Sequence, residues 1–230
     1  MPLKVLLRFV LALTVIAISG SAHAAWVEVR SEKFVLRGDL GERDAISLVQ
    51  DLEGFRYNVL SLYGVKPRPE VVPVPVYTIR NDKTMRGVYG TDNVGGVYTT
   101  DLRGPVFLLS SRRGFGRGNE ARHISFHEYS HHLLAAYTNQ NFPRWYDEGY
   151  ANFLATYEQK KQTFTVGSPK QDYGPVLAFK RRQWIPMNVM ISSVRGYPFS
   201  FTDNSQSVSL GRTLYYAQSW LMAHYIITTD

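Results

Sequence analysis

Residues 123–134, HISFHEYSHHLL, hold four of the six histidines in this chain. Within them His127-Glu128-Tyr129-Ser130-His131 has the form H-E-x-x-H. On a helix, positions four apart lie one turn apart on the same face, so both imidazoles can turn towards one metal ion. Glu128, beside the first histidine, can reach a water held there and take its proton as general base. A catalytic zinc takes three protein ligands and keeps its fourth position for that water, so a third ligand is required elsewhere. Three fixed letters in five arise by chance on surface helices. Two features narrow that chance here. Ile124, Phe126, Leu133 and Leu134 around the motif suit burial, and a second segment follows, PRWYDEGYANFLA (143–155). Sixteen residues lie between His131 and Glu148, enough to end one helix, turn, and start another that packs against it. Glu148 then faces the two histidines.

HEYSH followed by WYDEGYANFLA resembles the gluzincin metallopeptidases, in which the Glu of a W-x-x-E-G-x-A type segment is the third zinc ligand. It is similar to the aminopeptidases of that clan, and closer still to the bacterial peptidase MA-like domains, where HEY-x-HHL is a common form. The resemblance is specific over residues 123–155. It implies a zincin-like domain with Zn2+ bound by His127, His131 and Glu148, and with Glu128 as base and proton shuttle. It also implies a tyrosine on a later helix that stabilises the oxyanion. GRTLYYAQSWLMAHYI offers Tyr215 and Tyr216, and Tyr216 is preferred because YAQSW resembles the matching helix, although tyrosines beside Leu214, Trp220 and Leu221 equally suit a core. In many members an edge strand ahead of the zinc helix pairs with the peptide backbone, and Gly95–Ser110 is placed to do this. The aminopeptidases usually carry a G-x-M-E-N type segment there. GGVYTT lacks its glutamate, so the chain departs from the aminopeptidase pattern.

The other polar residues near the motif have weaker claims. Asn152 or Asp147 could accept the second ring N–H of a zinc-bound histidine. His123 lies one turn before His127 and is either in the cleft or satisfied in the core. His132 points to another face and is no ligand; it caps or hydrogen-bonds a neighbouring helix. His224 reads as packing.

The elements that must position this chemistry follow from periodicity. Residues 26–36 read as a strand or hairpin. Ile46, Val49, Leu52, Phe55, Val59 and Leu62 recur every three or four residues, an amphipathic helix over 42–63 ending at Gly64. VVPVPVYTI (71–79) is β-rich, but Pro73 and Pro75 confine its start to an edge strand or to the approach into one. NVGGVYTT and GPVFLLS, joined by Asp101-Leu102-Arg103, read as a hairpin. Helices are expected from Asn119, a plausible N-cap, to about Thr138, from Pro143 to about Tyr157, and from about Arg212 to Ile227. Residues 160–208 carry mixed signals. Strands come first and helices follow, so the expected fold class is α+β: a small β-sheet lobe with the active-site helix, then a mainly helical lobe.

Composition sets the setting. Residues 1–24 have a short basic start (Lys4, Arg8), an apolar run and Ala22-His23-Ala24, the layout of a secretory signal peptide cleaved after Ala24. The run Phe9–Ile18 is short for a bilayer span, so no stable membrane insertion is expected after cleavage. Localisation is then periplasmic or secreted. With no cysteine the fold rests on its core, or on its core and a metal. Residues 25–230 read as one domain, and the sequence is equally compatible with a domain that continues past Asp230. Losing Lys4 and Arg8 lowers the formal charge from +7 to +5, too modest a surplus to suggest nucleic acid. The arginines of 110–123 and Lys180-Arg181-Arg182 read as solvated loop faces. The expected function is a secreted zinc metallopeptidase acting on peptides or proteins. The alternatives are a silent zincin-fold binding module of the cell envelope and a metal-dependent hydrolase of a non-peptide amide.

Overall fold

The computed structural model describes residues 26–68, 72–89, 95–101, 104–112, 120–138, 140–170, 173–180, 184–192 and 206–229. The expected signal peptide, the Asn119 cap and most of the two arginine- and lysine-rich stretches lie outside them.

Strand β1 (Val27–Arg30) pairs antiparallel with β2 (Phe34–Gly38), Val27 opposite Gly38, as a tight hairpin. Helix α1 (Glu42–Leu62) returns the chain to β3 (Val74–Ile79), which lies parallel to β2. After α2 (Asp82–Tyr89) come β4 (Gly96–Asp101) and β5 (Gly104–Ser110), the expected antiparallel hairpin, with β5 parallel to β3. The sheet order is β1-β2-β3-β5-β4, so β3 is the middle strand and β4 an outer one.

The central place of β3 corrects half of the expectation from its prolines: the strand is no edge. Val74 donates its amide to Lys33 on the β2 side, and successive residues alternate, so the Pro75 nitrogen faces β5. The β3–β5 ladder begins only at Val76 opposite Phe107. Pro75 therefore stands where no donor is needed, in the approach to the ladder.

α1 buries Ala45, Leu48, Val49, Leu52, Phe55, Val59 and Leu60. Ile46 and Leu62, counted into the stripe from sequence, are exposed, and Ala45 and Leu48 take the inner positions instead. The helix stops as expected: Gly64 has φ +62°, and Val65 donates to the Leu60 carbonyl across it.

The second half is mainly helical. It comprises α3 (Glu120–Tyr137), α4 (Arg144–Ala155), a small exposed hairpin β6 (Glu158–Lys160) and β7 (Thr163–Thr165), then α5 (Tyr173–Lys180), α6 (Met187–Ser192) and α7 (Gln206–Thr228). α7 starts six residues before the expected Arg212. The hairpin carried no hydrophobic alternation, because its residues are largely exposed. The whole is a mixed α/β arrangement compatible with α+β. No helix among the described residues is long and apolar enough to cross a membrane.

α3 is fixed by aromatic packing between the sheet and α1. Phe126 stacks on Phe55 at 4.7 Å, and Tyr129 meets Phe34 edge-on at 5.0 Å. Each such fully buried ring contributes roughly 1.5–3 kcal/mol by burial, and a ring pair adds ~0.5–1.5 kcal/mol. The motif helix is thus anchored by the residues between its histidines.

Candidate metal centre

α3 and α4 bring the predicted ligands together. His127 and His131 lie one turn apart on α3 with their rings 4.8 Å apart and nearly perpendicular. Their Nε2 atoms are 3.2 Å apart. Pro143, extended at φ −63° and ψ 148°, stands at the N-cap just before α4. Glu148 follows in the second turn, buried at 3% exposure. Its Oε2 is 3.2 Å from His127 Nε2 and 3.7 Å from His131 Nε2. His127, His131 and Glu148 form a group that could hold a metal ion. Four ligands at about 2.0–2.1 Å in a tetrahedron stand roughly 3.3 Å from one another. The three separations match that spacing closely, so the residues fit such an ion.

Asp147, beside Glu148, accepts from Nδ1 of His131 at 2.8 Å and from Arg144 Nη1 at 3.2 Å. A carboxylate on Nδ1 turns Nε2 towards the centre. Burial alone would push the metal-free His131 ring down. Glu148, the Asp147 hydrogen bond and Glu128 outweigh it and hold the ring up at about 9.

Of the two residues considered for this bracing, Asp147 performs it and Asn152 does not. Buried Asn152 donates to the Glu148 carbonyl at 2.8 Å and accepts from the Tyr173 hydroxyl at 3.0 Å. It therefore braces the backbone of Glu148. Glu128 is outside the ligand group; its Oε2 accepts the backbone N–H of Tyr98 at 2.8 Å. His123 is held neutral by burial, with Lys170 and His127 adding to the effect, its pKa pushed down to about 3. His132 neither caps nor bonds a helix among the described residues. It stacks on Tyr129 at 5.4 Å and meets Tyr98 and Phe107 edge-on.

α7 packs along α4, where Gly149 lies against the Ser219 carbonyl: a Cβ there would come within 2.2 Å of it. Tyr215 is fully buried, whereas Tyr216 on the same helix keeps partial access to solvent. His224 packs against Trp220 and Phe153. Sequence reasoning missed two partners. The Arg144 guanidinium has a signal, its spacing of three and four to Asp147 and Glu148. The Tyr98 amide has none of its own, since any residue supplies one.

Compared with known proteins, the chain matches no family model and no curated protein sequence.

Proposed function

We propose that the chain is a zinc-dependent peptidase of zincin-like fold, related to the gluzincins, that hydrolyses peptide bonds in an extended substrate. The observation that carries this reading is the convergence of His127 Nε2, His131 Nε2 and Glu148 Oε2, with Glu128 on the same helix but outside the ligand group. Two nitrogens and one carboxylate oxygen suit zinc, and three protein ligands leave one position for water. When bound, the metal supplies Lewis acidity for activating that water and polarising a carbonyl.

The chain's own residues carry the remaining steps. Glu128 takes the proton of the attacking water and delivers it to the departing amine. Asp147 keeps His131 oriented through Nδ1, and Arg144 braces Asp147. Tyr216, partly accessible on the helix that packs along α4, is the candidate donor to the oxyanion, and buried Tyr215 belongs to the core. The outer strand β4 offers backbone groups with which an extended peptide could pair. The signal-like segment 1–24 supports a periplasmic or secreted setting.

Glu128→Gln tests the reading. Zinc content measured by mass spectrometry after reconstitution should stay at the wild-type level. Cleavage of a peptide library should fall by about 10²–10⁴-fold. A wild type that takes up no zinc removes the metal centre. Zinc uptake with no cleavage in either protein favours a binding module, and cleavage confined to non-peptide amides favours the other hydrolase.

A further inference from the structure

α3 presents two neighbouring stripes, each repeating every four residues. His123, His127 and His131 form the first, on which the two ligands lie. Ile124, Glu128 and His132 form the second, one residue on, and all three touch β4. Ile124 lies under Gly95 and Gly96, Glu128 meets the Tyr98 amide, and His132 meets the Tyr98 ring at 5.6 Å.

Just ahead of β4 the Ser110 amide bonds the Gly95 carbonyl, so the backbone groups of Gly95, Val97 and Thr99 face β5 while those of Gly96, Tyr98 and Thr100 face away from it. The Tyr98 N–H thus points off the sheet's outer edge, where water or another strand would ordinarily meet it. Instead it donates to Glu128 Oε2 at 2.8 Å, a hydrogen bond strengthened by the carboxylate charge.

The strand can come this close because it lacks side chains where it crosses α3. A Cβ on Gly95 would lie 2.3 Å from Ile124 Cδ1. One on Gly96 would lie 2.6 Å from Ile124 Cγ2, 2.9 Å from Leu109 Cδ2 and 3.3 Å from Glu128 Cγ. On the same face the Tyr98 ring is flanked by Phe107 at 5.1 Å and by His132 of α3.

We propose that the backbone amide of Tyr98 is the positioning donor for the Glu128 carboxylate, and that Gly95, Gly96 and His132 hold the strand where that donor reaches it. The device spares Glu128 the conformational freedom of a surface glutamate, so that one oxygen is committed to the strand and the carboxylate keeps one orientation. It also takes from an incoming peptide the one outward amide nearest the base. The catalytic consequence rests on the reading of Glu128 as general base; the hydrogen bond itself does not.

Amide hydrogen exchange on the full, metal-free chain tests it. In the wild type the Tyr98 amide should exchange far more slowly than that of Thr100, which is exposed and faces the same way. Glu128→Ala should speed Tyr98 exchange by about ten- to a hundredfold, and leave Val97 and Thr99, bonded to β5, unchanged. Tyr98 exchanging as fast as Thr100 in the wild type overturns the proposal, as does equal protection in Glu128→Ala. In the zinc-loaded protein, Gly96→Ala should lower kcat by about tenfold while KM and zinc content hold; an unchanged kcat with a deprotected Tyr98 amide removes the positioning role. If no peptidase activity is found at all, the exchange result still decides the hydrogen bond, so the two failures are distinct.

Discussion

Asp147 has no place in the ligand set, yet its carboxylate decides which nitrogen of His131 faces the centre. Replacing it by Asn keeps the shape but loses the charge that makes Nδ1–H the favoured tautomer. Metal affinity of Asp147→Asn, measured by competition with a chromophoric chelator, should fall by about 10–100-fold. The proton on the metal-free His131 sets a pH dependence. Its pKa stands at about 9, above the ordinary 6.5, so metal and proton compete for Nε2 below that value. Affinity should rise with pH through the neutral range and flatten above about 9, and calorimetry near pH 7 in buffers of different ionisation enthalpy should show proton release on binding. The sign for the metal-free fold is the opposite. A raised folded pKa contributes stability in full below 6.5, and that contribution is lost as pH rises through about 9. Urea unfolding of chelator-treated protein at several pH values should show this decline, which the metal-loaded protein lacks.

The elements explain why the ligand helix can serve two masters. α3 has His127 and His131 towards α4, its Ile124–Glu128–His132 stripe towards β4, and Phe126, Tyr129 and Leu133 in the core. α4 is held from behind by α7 at Gly149, where a Cβ would meet the Ser219 carbonyl carbon at 2.7 Å and Ala223 Cβ at 2.9 Å. Those obstacles are backbone and the base of a neighbouring helix, and neither can swing aside as a long side chain can. Gly149→Ala should therefore force α4 and α7 apart. A stability loss of about 1–3 kcal/mol is expected in thermal unfolding. Because Glu148 is the adjacent residue, zinc affinity should drop with it. Gly167, whose Cβ would run into the Phe153 ring and whose φ is +82°, is the comparable constraint at the loop that follows β7.

For the whole molecule, the candidate centre spans two helices, α3, which comes directly after the sheet, and α4, which follows it. An ion held by both would tie them to one another. Binding to the folded state alone stabilises by mass action, about 2.7 kcal/mol at a hundredfold excess over Kd. With roughly 2–4 °C per kcal/mol for a domain of this size, zinc should raise Tm by about 5–10 °C. Differential scanning fluorimetry with zinc and with chelator checks this, and Glu148→Gln should lose most of the shift. An equal shift in that variant would mean that the ion binds elsewhere.

Much of the site was legible because its chemistry is written in local spacing. A spacing of four from one histidine to the next is one helical turn, a regularity that needs no tertiary information. Pro143 and Gly64 likewise mark a helix start and stop through their own backbone limits. The stripe of α1 was read correctly at Val49, Leu52, Phe55 and Val59 and wrongly only at its ends, because Ala45 is small enough to look neutral in sequence while Ile46 looks apolar wherever it points. The prolines of β3 left an edge strand and an entry segment both open, and the structure takes the second, because sequence cannot show which side of a strand lacks a partner. Residues 123–155 by themselves determined which side chains could hold an ion, which carboxylate stands beside them and the need for a second helix, since all of these follow from side-chain chemistry and helical periodicity. Only the tertiary structure decided that Asp147 rather than Asn152 orients His131, that His132 belongs to β4, and that a backbone amide holds Glu128. Each of those is a contact between elements distant in sequence, fixed by how the packed core sets α3 against the sheet and α4, and a main-chain donor leaves no mark in the residue that carries it.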